Sequence, residues 1–591
     1  MSNLADTLIR AVQAARRGSL AEAKSLLEQA ERHSPAPEID HGWARVLSIA
    51  GDRPGAIERF RRYLRRVPAD FRARGSLAAL LAGQGRMSAA RRELAGAVAG
   101  APPADRALLF NEFGNALVDT RCDDAIYAYS QAVELAPGHA QMRLNLASTL
   151  TLVGRHASAI YHFAVAQASD PDLLDTDDPG YLEGQLFALL ARTEDPGTQR
   201  RHASRLAALR LRGIELLPPR SRNAGARLRV GYVSPDFREH AVATFFAPVL
   251  AAHDRAQVEI HLYGEVGAPD AVTESLKGMA DHWLTTCDMT ARQLAERIRN
   301  DGIDVLVDLA GWNVRSRLDA FAARPAPVQL TWLGYPATTG LNADTGLDGR
   351  LTDAWADPPG MTEDHFTERL LRLQSGFIAQ RPLADAAPHA PGRAPHVDAI
   401  RFGSFNNAVK LSAATIGLFV AALNAVPGSR LILKNHALSD PFVARELRGR
   451  FARAGLAAER LELRPALAAY DDHLRAYDDV DIALDTFPYH GTTTTCEALF
   501  QGVPVVTLAG RTHAARVGVS LLQRIGCTEW IAASESEYAA RAAALAGDVA
   551  GLTALRASLP QTLIEAPLFD PAAIARDLEA LYRRLVTQTA G

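Results

Sequence analysis

The sequence predicts an α-helical solenoid followed by two doubly wound α/β lobes. Three observations carry that reading. A small residue recurs about every 34 positions through the first third of the chain. From Arg227 onward, short apolar runs alternate with helical patterns. Finally, the stretch "FPYHGTTTTCEALFQGVPVVTLAG" (Phe487 to Gly510) sets four threonines where a strand gives way to a helix.

The repeat comes first. Ala23, Ala56, Ala90, Ala125 and Ala159 are spaced by 33, 34, 35 and 34 residues. Twelve residues after each stands a proline: Pro35, Pro68, Pro102, Pro137 and Pro171. Five residues before it stand Gly18, Gly51, Gly85 and Gly154, with Thr120 as the exception. Four residues after it comes Leu27, Phe60, Leu94, Tyr129 or Phe163. Each unit therefore reads as a helix, a glycine turn, a second helix with a small residue at the close approach, and a proline stop. This pattern resembles the tetratricopeptide repeat, whose stacked units form a concave face suited to extended peptides.

Composition bounds the rest. The chain has 591 residues, 48% hydrophobic and 22% charged, so several packed domains are expected. A net charge of −3 argues against nucleic acid as the main partner. The four cysteines show neither CxxC nor Cys/His spacing, which fits a reducing compartment and gives no metal site. The N-terminus has no apolar leader, and no run reaches 18 apolar residues. A soluble, cytoplasmic protein without a membrane span is expected.

In the α/β part, "LRVGYVS", "EIHLYGEV", "DVLVDLAG" and "PVQLTWLGYP" read as buried parallel strands, as do "RFGSFNN", "SRLILKN", "LELRPAL", "DIALDTFP", "VPVVTLAG" and "EWIAAS". A proline- and alanine-rich stretch, 381–400, separates the two series. The threonines then fall in the loop at the carboxyl end of one strand. There a helix start offers free N–H groups to an anion, and Gly491 allows close approach. A diphosphate cradle is one reading. Plain capping is the other, since Thr494 to Glu497 matches the S/T-x-x-E capping box.

"FGSFNNAVKLS", "YHGTTTTCEALFQGVPVVTLAG", "RPAPVQLTWLGYPATTG" and "RVGYVSPDFREHAVATFF" together resemble the bacterial homologues of O-GlcNAc transferase, a family that includes SPINDLY-type O-fucosyltransferases. The resemblance implies repeats followed by a two-lobed GT-B catalytic region, a nucleotide-sugar donor, inversion at the anomeric carbon and no metal or other cofactor. It places Thr492, Thr493 and Thr494 with Gly491 at the donor diphosphate, and Glu497 at the ribose. Lys410 would face the phosphates, where its alternative is a solvated helix-start lysine. Asn407 stands where relatives carry a glutamine on the diphosphate. His473 would lie beside the base, where its alternative is a surface helix histidine. His240 aligns with a histidine held to be a catalytic base, or one that only orients the sugar; Asp236 is a weaker alternative. Gly334, Tyr335 and Pro336 would approach the sugar. At Gly349 the sequence departs from the family's aromatic residue.

The expected division is repeats over 1–175, a helical connector over 176–225, a first catalytic lobe over 226–385, and a nucleotide-sugar lobe over 400–591 with a closing C-terminal helix. The expected activity is transfer of a sugar, N-acetylglucosamine from UDP-GlcNAc by resemblance, onto serine or threonine of an acceptor protein held by the repeat groove. The alternatives are another donor such as GDP-fucose, another acceptor (flagellin, an adhesin or asparagine), a catalytically silent repeat scaffold, and a sugar-nucleotide epimerase.

Overall fold

The computed structural model describes residues 4–17, 19–118, 121–152, 155–170, 182, 186, 189–218, 227–313, 315–380, 396, 399–467, 469–566 and 570–589. It divides into two compact units, Met1–Asp172 and Leu173–Gly591.

The first unit is a run of helix pairs: Leu4–Arg16 with Leu20–His33, Pro37–Ile49 with Arg53–Arg66, Phe71–Gly83 with Met87–Gly100, Pro103–Asn115 with Cys122–Leu135, and Ala140–Leu152 with His156–Ser169. The recurring alanines Ala23, Ala56, Ala90, Ala125 and Ala159 are all buried, because a larger side chain would hold the paired helices apart. Gly51 and Gly85 have φ of +80° and +74°, a left-handed turn that glycine adopts without a Cβ penalty. After Gly51, Asp52 starts the next helix by accepting from the Gly55 N–H at 3.0 Å. Gly18, Thr120, Gly154 and Pro171 lie outside the described residues.

The second unit holds two all-parallel sheets. The first is built from β1 (Leu228–Ser234), β2 (Val258–Gly264), β3 (His282–Thr285), β4 (Val305–Asp308), β5 (Val328–Thr331), β6 (Gly349–Thr352) and β7 (Leu370–Arg372). Their order is β3-β2-β1-β4-β5-β6-β7. The second contains β8 (Arg401–Ser404), β9 (Arg430–Asn435), β10 (Leu461–Pro465), β11 (Ile482–Leu484), β12 (Val505–Leu508) and β13 (Ile531–Ala532), in the order β10-β9-β8-β11-β12-β13. The central strands read as unbroken apolar runs because helices cover both faces. Chain order reverses beside β1 and β4 in the first sheet and beside β8 and β11 in the second. In open α/β sheets, ligands bind outside the carboxyl ends of the strands at such switch points.

Two expected boundaries move. The C-terminal helix, Pro571–Thr589, packs Ile574, Leu578 and Tyr582 into the core of the first sheet, with Val230, Ile260 and Val307. The Tyr582 and Tyr232 hydroxyls meet at 3.2 Å, and Glu579 lies 2.8 Å from His253 Nδ1. The closing helix therefore completes the first lobe, whose sheet would otherwise expose an apolar face. The opposite face is covered by part of the expected connector: Ala203 and Leu206 of helix Pro196–Arg210 share a core with Trp312, Phe321 and Tyr335. The expected linker over 381–400 lies outside the described residues except for its last few positions and His396. Among the described residues, no single helix is long and apolar enough to cross a membrane.

Candidate active site

The loops after β1, β8 and β11 carry most of the candidate residues, whereas His473 follows β10 and Gly334–Pro336 follow β5. The loops after β8 and β11 supply the threonine end of the site. Helix Thr493–Phe500 starts from Thr492, whose side chain makes no capping hydrogen bond. The Thr494–Glu497 capping box, the alternative reading of this stretch, does not form. The helix begins before Thr494, whose hydroxyl donates instead to Asn406 Oδ1 at 3.0 Å. Thr492, Thr493 and Thr494 are half-buried, whereas Thr495 is buried. The first turn thus keeps its positive dipole end without a side-chain cap. Gly491 belongs there for space: a Cβ would stand 2.7 Å from Thr495 Oγ1 and 2.8 Å from Thr494 Oγ1. Its N–H donates to Asp485 Oδ1 at 2.7 Å, which pins the loop to the end of β11.

Lys410 closes the other side of this loop. Its ammonium donates to the His490 carbonyl at 2.6 Å and sits 4.0 Å from the centre of the Tyr489 ring. Removal from water pushes its pKa down to about 8, against an opposing pull from Asp485. The lysine is therefore no freely solvated helix-start residue. His490 itself is fully buried. Its Nδ1 accepts from the Gly518 N–H at 3.1 Å, so Nε2 carries the proton and donates to the Leu508 carbonyl at 2.9 Å. Burial holds its pKa below the ordinary imidazole range.

Asn407 does not reach the cradle. It is exposed, and its side chain caps the short turn Ala408–Lys410 by accepting from the Val409 N–H at 3.1 Å. Its neighbour Asn406, only 6% exposed, makes the threonine contact instead. One residue decides which side chain faces inward, and no local pattern in "FNNAVK" distinguishes the two.

The half-buried His473 and the buried Glu497 form a hydrogen-bonded relay rather than two separate ligand contacts. Lys434 Nζ lies 2.5 Å from His473 Nδ1, and His473 Nε2 lies 2.9 Å from Glu497 Oε2. Because an ammonium only donates, Nδ1 is the acceptor and Nε2 donates to the carboxylate. Tyr470 donates to Glu497 Oε1 at 3.2 Å, and its ring stacks with the imidazole at 5.9 Å and 10°. Glu497 is 4% exposed with both oxygens engaged, so in this arrangement it orients His473 and does not stand open to a ribose. With both nitrogens used, His473 has ring surface, not a hydrogen bond, to offer a base. Burial also pushes the Lys434 pKa down to about 8, with Glu497 pulling the other way.

In the first lobe, His240 is the N-cap of helix Ala241–Ala252, its Nδ1 accepting from the Val242 N–H at 3.3 Å. Asp236 Oδ2 is 3.6 Å from the same nitrogen and accepts from Asn313 Nδ2, in the loop after β4, at 3.3 Å. Burial lowers the His240 pKa, with Asp236 opposing, and raises that of Asp236. Phe245, one turn further along, shares an apolar core with Phe405 and Tyr477 of the second lobe, which brings the two switch points together across a seam. Ser520 Oγ donating to Asp353 at 2.5 Å and His513 Nδ1 at 2.6 Å from Asp357 fasten the same seam.

The "GYP" segment behaves differently from expectation. The Tyr335 side chain is 2% exposed and packs in the first-lobe core. Gly334 is required by the chain itself, since a Cβ would lie 2.0 Å from the Leu309 carbonyl oxygen. Pro336 is half-buried after them. Gly349 also gains a reason: it opens β6, where a Cβ would meet Leu371 Cδ1 at 2.5 Å.

The profile of glycosyl transferase family 41 matches residues 203–382 and 393–578, more than half of the chain. The chain belongs to glycosyl transferase family 41. A tetratricopeptide-repeat profile matches residues 41–105 and 114–173. A tomato (Solanum lycopersicum) family member named as a probable UDP-N-acetylglucosamine–peptide N-acetylglucosaminyltransferase SPINDLY is 40% identical over 366 residues, 61% of this chain and 38% of that one. A Caenorhabditis elegans UDP-N-acetylglucosamine–peptide N-acetylglucosaminyltransferase is 25% identical over 478 residues, again 61% of this chain and 41% of the other. The chain thus spans about two fifths of the length of these curated relatives. A solved structure of a mutant O-GlcNAc transferase from Thermobaculum terrenum superposes with a TM-score of 0.68 at 33% identity, covering 88% of this chain and 98% of that one. The family 41 fold thereby accounts for the two tandem lobes and their facing switch points.

Proposed function

We propose that this family 41 chain is an inverting glycosyltransferase that moves N-acetylglucosamine from UDP-GlcNAc onto serine or threonine hydroxyls of acceptor proteins. The single observation that carries this reading is the helix start at Thr492–Thr494, left without a side-chain cap and faced by the Lys410 loop. A diphosphate seated there accepts from backbone N–H groups and threonine hydroxyls. Lys410 then offsets the charge that develops on the leaving UDP, the work a metal ion does in other transferases. The ring of His473, fixed by Lys434 and Glu497, supports the nucleoside. His240, held at the opposite switch point, directs Nε2–H toward the sugar or acceptor and orients it. The names of the relatives support the choice of UDP-GlcNAc as donor. The repeats supply acceptor binding, and the four free cysteines fit a cytoplasmic setting.

Incubating the full-length chain with UDP-GlcNAc and a protein lysate tests the proposal. The expected result is release of UDP matched by O-linked N-acetylhexosamine on peptides, seen by mass spectrometry. Turnover of GDP-fucose but of no UDP-sugar would replace the donor. Turnover of no sugar nucleotide would favour the silent scaffold.

A further inference from the structure

We propose that Glu259, His261 and His282 form a binding site for one divalent transition-metal ion of the zinc class at the open edge of the first sheet. Parallel pairing of β2 with the edge strand β3 sets His261 directly opposite His282. Glu259 stands two residues before His261 and so shares its face of the strand. The three side chains converge: His282 Nε2 lies 2.9 Å and His261 Nε2 3.4 Å from the same oxygen, Glu259 Oε1. The two imidazoles stack with centroids 4.2 Å apart at 27°. Their three ligating atoms all lie within 4.8 Å of one another. Tetrahedral zinc, with bonds of about 2.0–2.2 Å, holds neighbouring ligand atoms roughly 3.3 Å apart, so small shifts suffice to close the site.

An ion pair accounts for Glu259 with His282 at 2.9 Å, whereas His261 reaches the same oxygen only at 3.4 Å. That residue is 8% exposed, and beyond this long contact its buried Nε2 makes no hydrogen bond among the described residues. Buried polar atoms are rarely left so, and this one is aimed into the cluster. A cation gives its lone pair a partner. The carboxylate can serve both neighbours: Arg229 Nε lies 3.5 Å from Glu259 Oε2, which leaves Oε1 for the ion. The cluster borders a hollow of 330 Å³, also lined by Tyr263, Arg297 and Asp301, so a fourth position is open to water. Two imidazoles and one carboxylate select zinc, nickel or copper over magnesium or calcium, which prefer all-oxygen sets. Binding would tie β3 to β2 and stabilise the sheet edge by mass action. The threonine cradle stands on the other sheet, and its proposed chemistry does not use this ion.

Calorimetric titration of the full-length chain with zinc chloride, and separately with magnesium chloride, tests the site. One equivalent of zinc should bind and raise the unfolding temperature, and magnesium should do neither. His282→Ala, at a side chain 53% exposed, and the isosteric Glu259→Gln should each weaken zinc binding about tenfold or more and abolish the thermal shift. Circular dichroism of both variants without metal checks that they fold. Absence of saturable zinc binding overturns the proposal. So does an unchanged stoichiometry and affinity in both variants, which would place the ion at histidines elsewhere.

Discussion

Two strand–loop–helix corners face each other across the lobe seam, and they treat their helix starts in opposite ways. In the first lobe, the chain leaves β1 and enters helix Ala241–Ala252 with its N-terminus satisfied by a side chain, His240 Nδ1 on the Val242 N–H. In the second, it leaves β11 and enters helix Thr493–Phe500 with no side-chain cap, although four threonines stand there. Threonine is a good cap, so its failure to cap costs about 1 kcal/mol that a plain structural loop would not forgo. A capped end is complete in itself. An uncapped end flanked by hydroxyls and an ammonium suits an anion, as the proposed function requires.

The comparison breaks most readily at Lys410. If the ammonium stabilises the leaving diphosphate, Lys410→Ala should lower turnover by about 10²–10³. The unfolding temperature should hardly move, because among the described residues the ammonium's one hydrogen bond is to the His490 carbonyl. Steady-state kinetics beside a thermal melt separates the two. Equal activity in the variant would return Lys410 to a structural role.

A smaller effect follows from the same residue's titration. The free protein loses the Lys410 proton near pH 8. A bound diphosphate favours the charged form, so affinity is complete well below pH 8 and falls as pH rises above it, by up to about tenfold per unit. Protein stability moves the other way. A lysine whose folded pKa is depressed penalises the fold below that pKa, and the penalty disappears as pH rises toward the unfolded value. Lys434, shifted in the same direction, adds to this gain. Loss of UDP affinity above pH 8 with an unfolding temperature that does not fall is the expected pair of results. The slope should vanish in Lys410→Ala.

The smallest effect is expected at the capped corner. Asparagine caps a helix well, so His240→Asn keeps the cap while removing the imidazole. With Nδ1 committed to the Val242 N–H, His240 can orient substrate through Nε2–H but offers no free lone pair there. Turnover should fall by less than about tenfold. A loss of about 10²–10⁴ would show general-base work, with the imidazole giving up its cap and turning Nδ1–H toward Asp236 during the reaction.

Local features of this molecule were legible in its sequence, and features that depend on long-range partners were not. The repeat phase and strands such as "LRVGYVS" are set by neighbouring residues, and they appear where the pattern puts them. β3, "HWLT", carries no strand signal in the sequence because it is four residues long and lies on an edge, with no buried run. The amphipathic C-terminal helix announces an apolar stripe but not which sheet needs covering. At the candidate site, Gly491 and Thr492–Thr494 were legible because the features that suit an anion, a close-packed glycine, hydroxyls and a helix start, belong to one continuous loop. Lys434, Asn406 and His490 were not, because their partners His473, Thr494 and Lys410 lie 39, 88 and 80 positions away. Glu497 was visible as an acidic residue, but its partners His473 and Tyr470 lie 24 and 27 positions earlier, and only the fold turns them into one relay.

The most direct test of the uncapped corner is calorimetric titration of the full-length protein with UDP and with uridine, both in excess EDTA. If the helix start and Lys410 hold the diphosphate without a metal, UDP binds as tightly as in the absence of chelator. Uridine, which lacks the diphosphate, should then bind about a hundredfold more weakly, since charge-assisted hydrogen bonds carry the difference. Equal affinities for UDP and uridine, or UDP binding that needs Mg²⁺ or Mn²⁺, would contradict the account.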